Sequence, residues 1–221
     1  MYQNLLILDT ETTGLDPEKH HTIEVGAVLW NAEWGMVQCW SAVIQSEEVG
    51  PEWVHGISEG LAGIGVPRDQ VYYGLTRLTQ AADAIIAHNA DFDRKMLPDL
   101  EKPWIDSMDI EWPKKSNSRS LAGIALAHGV PVVSAHRALT DCLTLTRLLD
   151  RAKELGMDVQ EALTKAARPK VLIQACVSFA QNQLAKDEGF RWDRGNKRWA
   201  KKMPLEEAQN ANWAFEWTVV E

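Results

Sequence analysis

Asp9 and Glu11 stand two positions apart at the end of a short apolar run, residues 4–9 (NLLILD). In an extended chain, side chains two apart project to the same side, so both carboxylates leave the strand together. Like charges held that close are unfavourable unless a cation offsets them. Hard divalent ions such as Mg²⁺ and Mn²⁺ take oxygen ligands, which suits a carboxylate cluster. A DxE pair alone is also common on protein surfaces. A second acidic group follows another apolar run, residues 84–88 (AIIAH), in the stretch Asn89-Ala-Asp91-Phe-Asp93. Asp91 falls where the N-cap of a helix over 92–97 would lie, which leaves Asp93 for metal binding. A third acid, Asp141, follows His136 by five positions in HRALTD, at the start of a helical pattern. An acid beside an apolar helix face needs a partner, and imidazole exchanges protons near neutral pH. A lone histidine is more often a structural or surface residue, but its spacing to a third acid leaves a catalytic role open to it.

The elements that must position these residues follow from pattern. Residues 4–9 read as a central strand. Residues 22–31 and 36–44 are β-branched and aromatic, with turn residues at 33–35, and read as an antiparallel hairpin. A short helix and loop are expected at 51–60, a helix at 69–82, a buried strand at 84–88, a helix over 92–100 and a short strand at 104–109. Helices are expected at 118–128 and 138–155, the second amphipathic through Leu139, Leu143, Leu145 and Leu149. A hairpin followed by alternating strands and helices predicts an α/β domain with a mixed sheet flanked by helices, over 1–158. Residues 159–221 predict a small α+β appendage. It would hold a helix at 171–186, a hairpin formed by 190–192 and 198–200 around 193–197, a helix over 204–210 opened by its proline, and a closing strand at 213–220.

Composition narrows the class. The chain has 221 residues and a net charge of −8, but the charge is unevenly spread. Residues 163–203 carry 10 Lys/Arg against 3 Asp/Glu, whereas residues 1–162 carry 13 against 24. A basic segment after an acidic body is a cue for nucleic-acid contact. Cys39, Cys142 and Cys176 are odd in number and form no CxxC pair. They read as small buried hydrophobes of a reducing compartment rather than a disulfide or zinc framework. The apolar run at the N-terminus is too short for a signal peptide, and no run reaches the length of a membrane helix, so the expected location is cytoplasmic.

LDTETTG, AHNADFD and HRALTD, in this order, resemble the three motifs of the DEDDh 3′→5′ exonuclease family, over about residues 4–150. The stretch AHNADFDRKMLPDL followed by PWIDSM and HRALTDC is most similar to the exonuclease X type. The resemblance implies a ribonuclease H-like fold and two divalent metal ions, Mg²⁺ or Mn²⁺. It implies that Asp9 bridges the two ions, that Glu11 and Asp141 complete the site of the attacking water, and that Asp93 serves the second ion. His136 would be the general base, and nucleoside 5′-monophosphates the products. Thr12, Gly14, Leu15, His55 and Asn89 would contact the terminal nucleotide or orient the motifs; ordinary turn chemistry accounts equally for Thr12, Gly14 and Leu15. The expected substrate is DNA, mainly single-stranded, with RNA as the alternative. A binding module recruited to a replication or repair complex is the alternative of another class.

In the appendage, Arg191, Arg194, Lys197, Arg198, Lys201 and Lys202 lie among Phe190, Trp192 and Trp199. Cations pair with phosphates and aromatic faces stack on unpaired bases. A unit this small also needs a core, and the favoured reading gives the aromatics to that core and the cations to its outer face. GFRWDRGNKRWAK is also similar to a tail element of other DEDDh exonucleases, which assigns it no function. A docking role through residues 213–220 stands as the other use of the appendage.

Overall fold

A computed structural model describes residues 2–133 and 136–220. The chain forms two compact units, Met1–Ala167 and Arg168–Glu221. The first holds β1 (Asn4–Thr12), β2 (Thr22–Asn31), β3 (Gly35–Val43), α1 (Glu52–His55), α2 (Glu59–Gly63) and α3 (Arg68–Gln80). It continues through β4 (Ala84–Ala87), α4 (Ala90–Met96), β5 (Trp104–Asp106), α5 (Leu121–Ala127), α6 (Ala138–Glu154) and α7 (Val159–Ala166). The five strands lie in the order β3-β2-β1-β4-β5. β1, β2 and β3 pair antiparallel, while β4 and β5 run parallel to β1, which makes the mixed sheet.

Alternation along the strands divides the core in two. Leu5, Ile7, Val28, Trp30, Ile86 and Ile105 face a cluster built on Cys142, Leu145, Leu148 and Leu149 of α6. Leu6, Leu8, Val25, Ala27 and Ile85 face Val71 and Leu75 of α3. The α6 residues recur at helical spacing, so one stripe of this helix is buried for its whole length. Truncating a fully buried leucine such as Leu148 or Leu149 costs about 2–5 kcal/mol. The Trp30 indole donates to Asp150 at 2.8 Å, which fixes α6 along β2.

Several expectations are corrected. β1 continues to Thr12, so Asp9 and Glu11 lie within the strand rather than at its end. Residues 107–109 form a 3-10 turn, because Asp106 accepts from the Met108 N–H and closes the strand. The helix α7 was not expected, and the first unit extends past residue 158 because Val159, Ala162, Leu163 and Ala166 are buried in its core. Of the cysteines only Cys142 is buried; Cys39 and Cys176 are exposed.

The second unit holds β6 (Val171–Cys176), α8 (Asn182–Asp187), β7 (Arg191–Asp193), β8 (Arg198–Met203), α9 (Leu205–Asn210) and β9 (Glu216–Val220). Its sheet order is β7-β8-β6-β9, and all pairs are antiparallel. Residues 171–176 are therefore a strand and not the start of a helix. Val171, Ile173 and Ala175 alternate into the small core, and Ser178 with Gln181 forms a capping box that starts the helical segment afresh. Pro204 sits at the cap of α9 rather than inside its first turn. Among the described residues, no helix is long and apolar enough to cross a membrane.

Candidate metal centre

The alternation that buries Leu5 and Ile7 against α6 carries Asp9 and Glu11 to the same side of the sheet. Opposite them on β2 stand Gly26 and Glu24 respectively. Gly26 lets the start of α6 lie against bare backbone: a Cβ at this position would stand 2.3 Å from the Ala138 carbonyl carbon. Asp141, one turn into α6, is thereby brought to the strand. One carboxylate oxygen from each of Asp9, Glu11 and Asp141 lies within 4.8 Å of the others. Glu11 is buried, and the other two are partly buried.

Asp93 approaches from α4. It is 2% exposed, and the Thr10 hydroxyl donates to its Oδ1 at 2.8 Å. Asp93 stands outside the close set of three, yet its charge is the largest electrostatic influence on Asp9. The turn from β4 into α4 passes through Asn89, a left-handed residue (φ 72°) whose N–H donates to Asp106 at 3.0 Å. Asn89, not Asp91, occupies the cap position, and Asp91 lies in the first turn of the helix.

The acids are held in forms that resist ionisation. Burial, then the charges of Asp93, Asp141, Glu11 and Glu24, push the Asp9 carboxyl well above its usual range. Burial and the charges of Asp141 and Glu24 raise Glu11 to about 8, with Arg137 opposing them. Burial raises Asp93 to about 7 against the Thr10 hydrogen bond. Asp141 is raised by burial and eased back by the His136 N–H and imidazole. Perturbed acids gathered at one point mark a functional site, and the donor set is the one a hard divalent cation prefers.

His136 is exposed and left-handed (φ 63°), and its N–H donates to Asp141 Oδ2 at 3.0 Å. The next residue supplies a contact that pattern reading missed. Arg137 makes a bidentate pair with buried Glu24, at 3.0 and 2.7 Å, and the Ala138 N–H donates to the same carboxylate at 3.1 Å. Glu24 thus anchors the start of α6 to β2. Glu24 is charged in an otherwise apolar strand, and a buried charge requires a partner. Gly26, a glycine inside a strand, signals close backbone approach. Both signals are present in the sequence.

The other anticipated residues divide. Thr12 is buried and its hydroxyl donates to the Gly14 carbonyl at 2.8 Å, while the His20 ring packs on Gly14. Leu15 is 84% exposed at the tip of that loop. His55 is buried, with Nε2 bonded to the Val49 carbonyl and Nδ1 accepting from the Ile57 N–H, so its ring holds a loop and has no nitrogen left for a nucleotide. In the second unit, Arg191, Arg194, Lys197 and Lys202 are exposed. Arg198 pairs with Asp193 at 3.4 Å, and Lys201 donates to the Glu188 carbonyl while lying over Phe190 and Trp213.

The mixed sheet carries acids on its central strand and on two flanking helices, a ribonuclease H-like arrangement with a donor set suited to a divalent cation. Residues 6–149 match the family model described as Exonuclease, and the chain belongs to this family, in its DEDDh branch. Among curated proteins, Exodeoxyribonuclease 10 of Escherichia coli (strain K12) is 27% identical over 208 residues, spanning 88% of this chain and 89% of that one. DNA polymerase III subunit epsilon of Treponema pallidum (strain Nichols) is 27% identical over 198 residues, spanning 80% and 91%. The solved structure "Exonuclease X in complex with 5′ overhanging duplex DNA" superposes with a TM-score of 0.59 at 24% identity, covering 72% of this chain and 98% of that chain. Residues 171–219 match a second family, described as a domain of unknown function (DUF8626).

Proposed function

We propose that this chain removes nucleotides from the 3′ ends of DNA, mainly single-stranded, and releases nucleoside 5′-monophosphates. The observation that carries the reading is the convergence of Asp9, Glu11 and Asp141 within 4.8 Å, with Asp93 behind them and His136 tied to Asp141. Three carboxylates raised by burial and mutual repulsion fit divalent cations, and we assign two, Mg²⁺ or Mn²⁺. Asp9, Glu11 and Asp141 would hold one, and Asp9 with Asp93 the other. Bound there, the ions supply charge for the phosphate oxygens and acidify water. The protein supplies the rest. His136, at the exposed edge of the centre, takes the proton from the attacking water, and the Asp141 hydrogen bond keeps that residue in place. Arg137 and Glu24 hold the start of α6 so that Asp141 and His136 keep one geometry. Leu15 stands exposed to pack against the terminal base, with Thr12 and Gly14 shaping its loop. DNA is preferred to RNA because the curated relatives include an exodeoxyribonuclease, a PolC-type DNA polymerase III and a DNA polymerase III subunit epsilon.

The test uses 5′-labelled single-stranded DNA, duplex DNA and RNA of one sequence, with Mg²⁺, read as a ladder. Stepwise shortening of single-stranded DNA from its 3′ end is expected, with loss of about 10²–10³-fold in Asp9→Asn, the order expected when a preorganised electrostatic group at the reacting phosphate is removed. Full activity in folded Asp9→Asn would remove the metal centre from the reaction. Faster shortening of RNA would move the substrate to RNA and leave the chemistry standing.

A further inference from the structure

The second unit separates its charges along its sheet. The β7–β8 hairpin, residues 191–202, carries Arg191, Arg194, Lys197, Arg198, Lys201 and Lys202 against a single acid, Asp193. The following segments, α9 and β9, carry Glu206, Glu207 and Glu216 and no Lys or Arg, with Glu207 paired to Arg168. Because the strand order is β7-β8-β6-β9, the basic hairpin and β9 with Glu216 lie at opposite edges of one sheet. Arg198 and Lys201 are engaged within the unit, whereas Arg191, Arg194 and Lys197 are exposed on β7 and its turn.

The aromatic side chains divide in the same way. Phe190 is 3% exposed and packs with Trp213 and Phe215 in the core. Trp192, two residues on, is 48% exposed at the basic edge. Its ring lies 5.6 Å from that of Trp199, which is itself fixed by a 2.7 Å hydrogen bond to Asn182 and by Lys186 over its face. Trp192 is therefore a large ring braced at a tilt of 59° by Trp199 and about half open to solvent. Phe179, 91% exposed, stands one turn before Asn182 on the segment that braces Trp199. Core formation accounts for Phe190 and most of Trp199; it does not account for an open tryptophan among three exposed cations.

We infer that the β7–β8 edge is a grip for single-stranded nucleic acid, with Trp192 stacking on a base and Arg191, Arg194 and Lys197 pairing with neighbouring phosphates. A braced ring among cations is the arrangement that holds unpaired strands without regard to sequence, and the separation of charge along the sheet supplies the complement to a polyanion. The choice of nucleic acid as occupant rests on the exonuclease reading. Held in the same chain as the metal centre, such a grip raises the local concentration of a strand after each cleavage and favours repeated shortening over release.

The test uses the full chain and three variants: Trp192→Ala, Trp192→Phe and the double variant Arg194→Ala/Lys197→Ala. Affinity for a fluorescent 30-nucleotide DNA strand is measured in EDTA, and shortening of that strand and of a trinucleotide is measured in Mg²⁺. Trp192→Ala is expected to weaken binding of the long strand about tenfold, the loss of one stacked base, and Trp192→Phe to restore most of it. The double variant is expected to lower the slope of log affinity against log salt by about 1.4, two phosphate contacts on a single strand. Trinucleotide shortening should be unchanged in all three. Unchanged long-strand affinity and salt slope overturn the grip, even where cleavage is intact. Binding lost in the variants of a chain that cleaves nothing would sustain the grip and sink the exonuclease reading instead. The double variant changes only turn residues outside the core, so its result stands should Trp192→Ala fail to fold.

Discussion

The two units handle charge in opposite ways. At the centre of the first sheet, acids are gathered, buried and left facing one another; at one edge of the second, cations are spread on the surface around a single acid, Asp193. Within the first unit the contrast sharpens at a single pair of facing residues. Glu11 and Glu24 are register partners on β1 and β2, and both are buried, at 8% and 3% exposure. Glu24 receives a guanidinium and a backbone N–H. Glu11 faces Asp9 and Asp141 and is driven to about 8. One glutamate is satisfied by the fold and so serves structure. The other faces two further acids, keeps its proton to about pH 8, and belongs to a group that could hold a cation.

Three experiments press on that contrast, beyond the loss already set for Asp9→Asn. The largest effect is expected for His136→Ala. It should slow cleavage about 10²–10⁴-fold with little change in KM if the residue handles a proton, as proposed, and does not hold the strand. A rise in KM at unchanged kcat would make His136 a binding residue.

The second concerns pH. The folded Glu11 carboxyl stands at about 8 against an ordinary 4.5, so between these values the folded state binds more protons than the unfolded one. The stability linked to this group is full below about 4.5 and is lost as pH rises through 8; Asp93, raised to about 7, acts with the same sign. In EDTA, Tm should therefore fall by about 5–10 °C between pH 5.5 and 8.5. Mn²⁺ should flatten the profile, and Glu11→Gln should raise Tm at pH 8.5. A metal-free profile that rises toward alkaline pH contradicts the strained-acid picture.

The smallest effect is expected for Glu24→Gln. The side chain keeps its shape and loses its charge, so stability should drop by about 1–3 kcal/mol and kcat by about tenfold as the start of α6 loosens. Arg137→Lys should resemble it, since an ammonium cannot reproduce the fork. Unaltered kcat in both would confine the pair to folding.

Much of this was legible in residue order. The hairpin of β2 and β3, the buried strand β4 and the amphipathic α6 are set by local periodicity, and the three acidic motifs lie where such elements converge. Legibility failed where partners are distant in sequence. Residues 171–176 form a strand only because β8 and β9 pair with it from both sides, so its apolar run alone could not be told from a helix. The role of Glu24 depends on Arg137, more than a hundred residues away. Its burial was implied by the strand, but its partner was not. In the second unit, Phe190 and Trp192 share an apolar character in sequence, yet Phe190 packs with Trp213 and Phe215 in the core while Trp192, on the edge strand β7, stays partly open.

Gly26 sets a dimension. An alanine there would place its methyl 2.3 Å from the backbone of Ala138, where an ordinary contact needs about an ångström more. The helix would have to retreat, taking Asp141 with it while Asp9 and Glu11 stayed on the strand. Cation ligands tolerate errors of only about 0.2 Å. The missing methyl group therefore acts as a gauge block between strand and helix: the bite of the acidic site is cut by a residue that carries no charge and has no side chain to donate or accept.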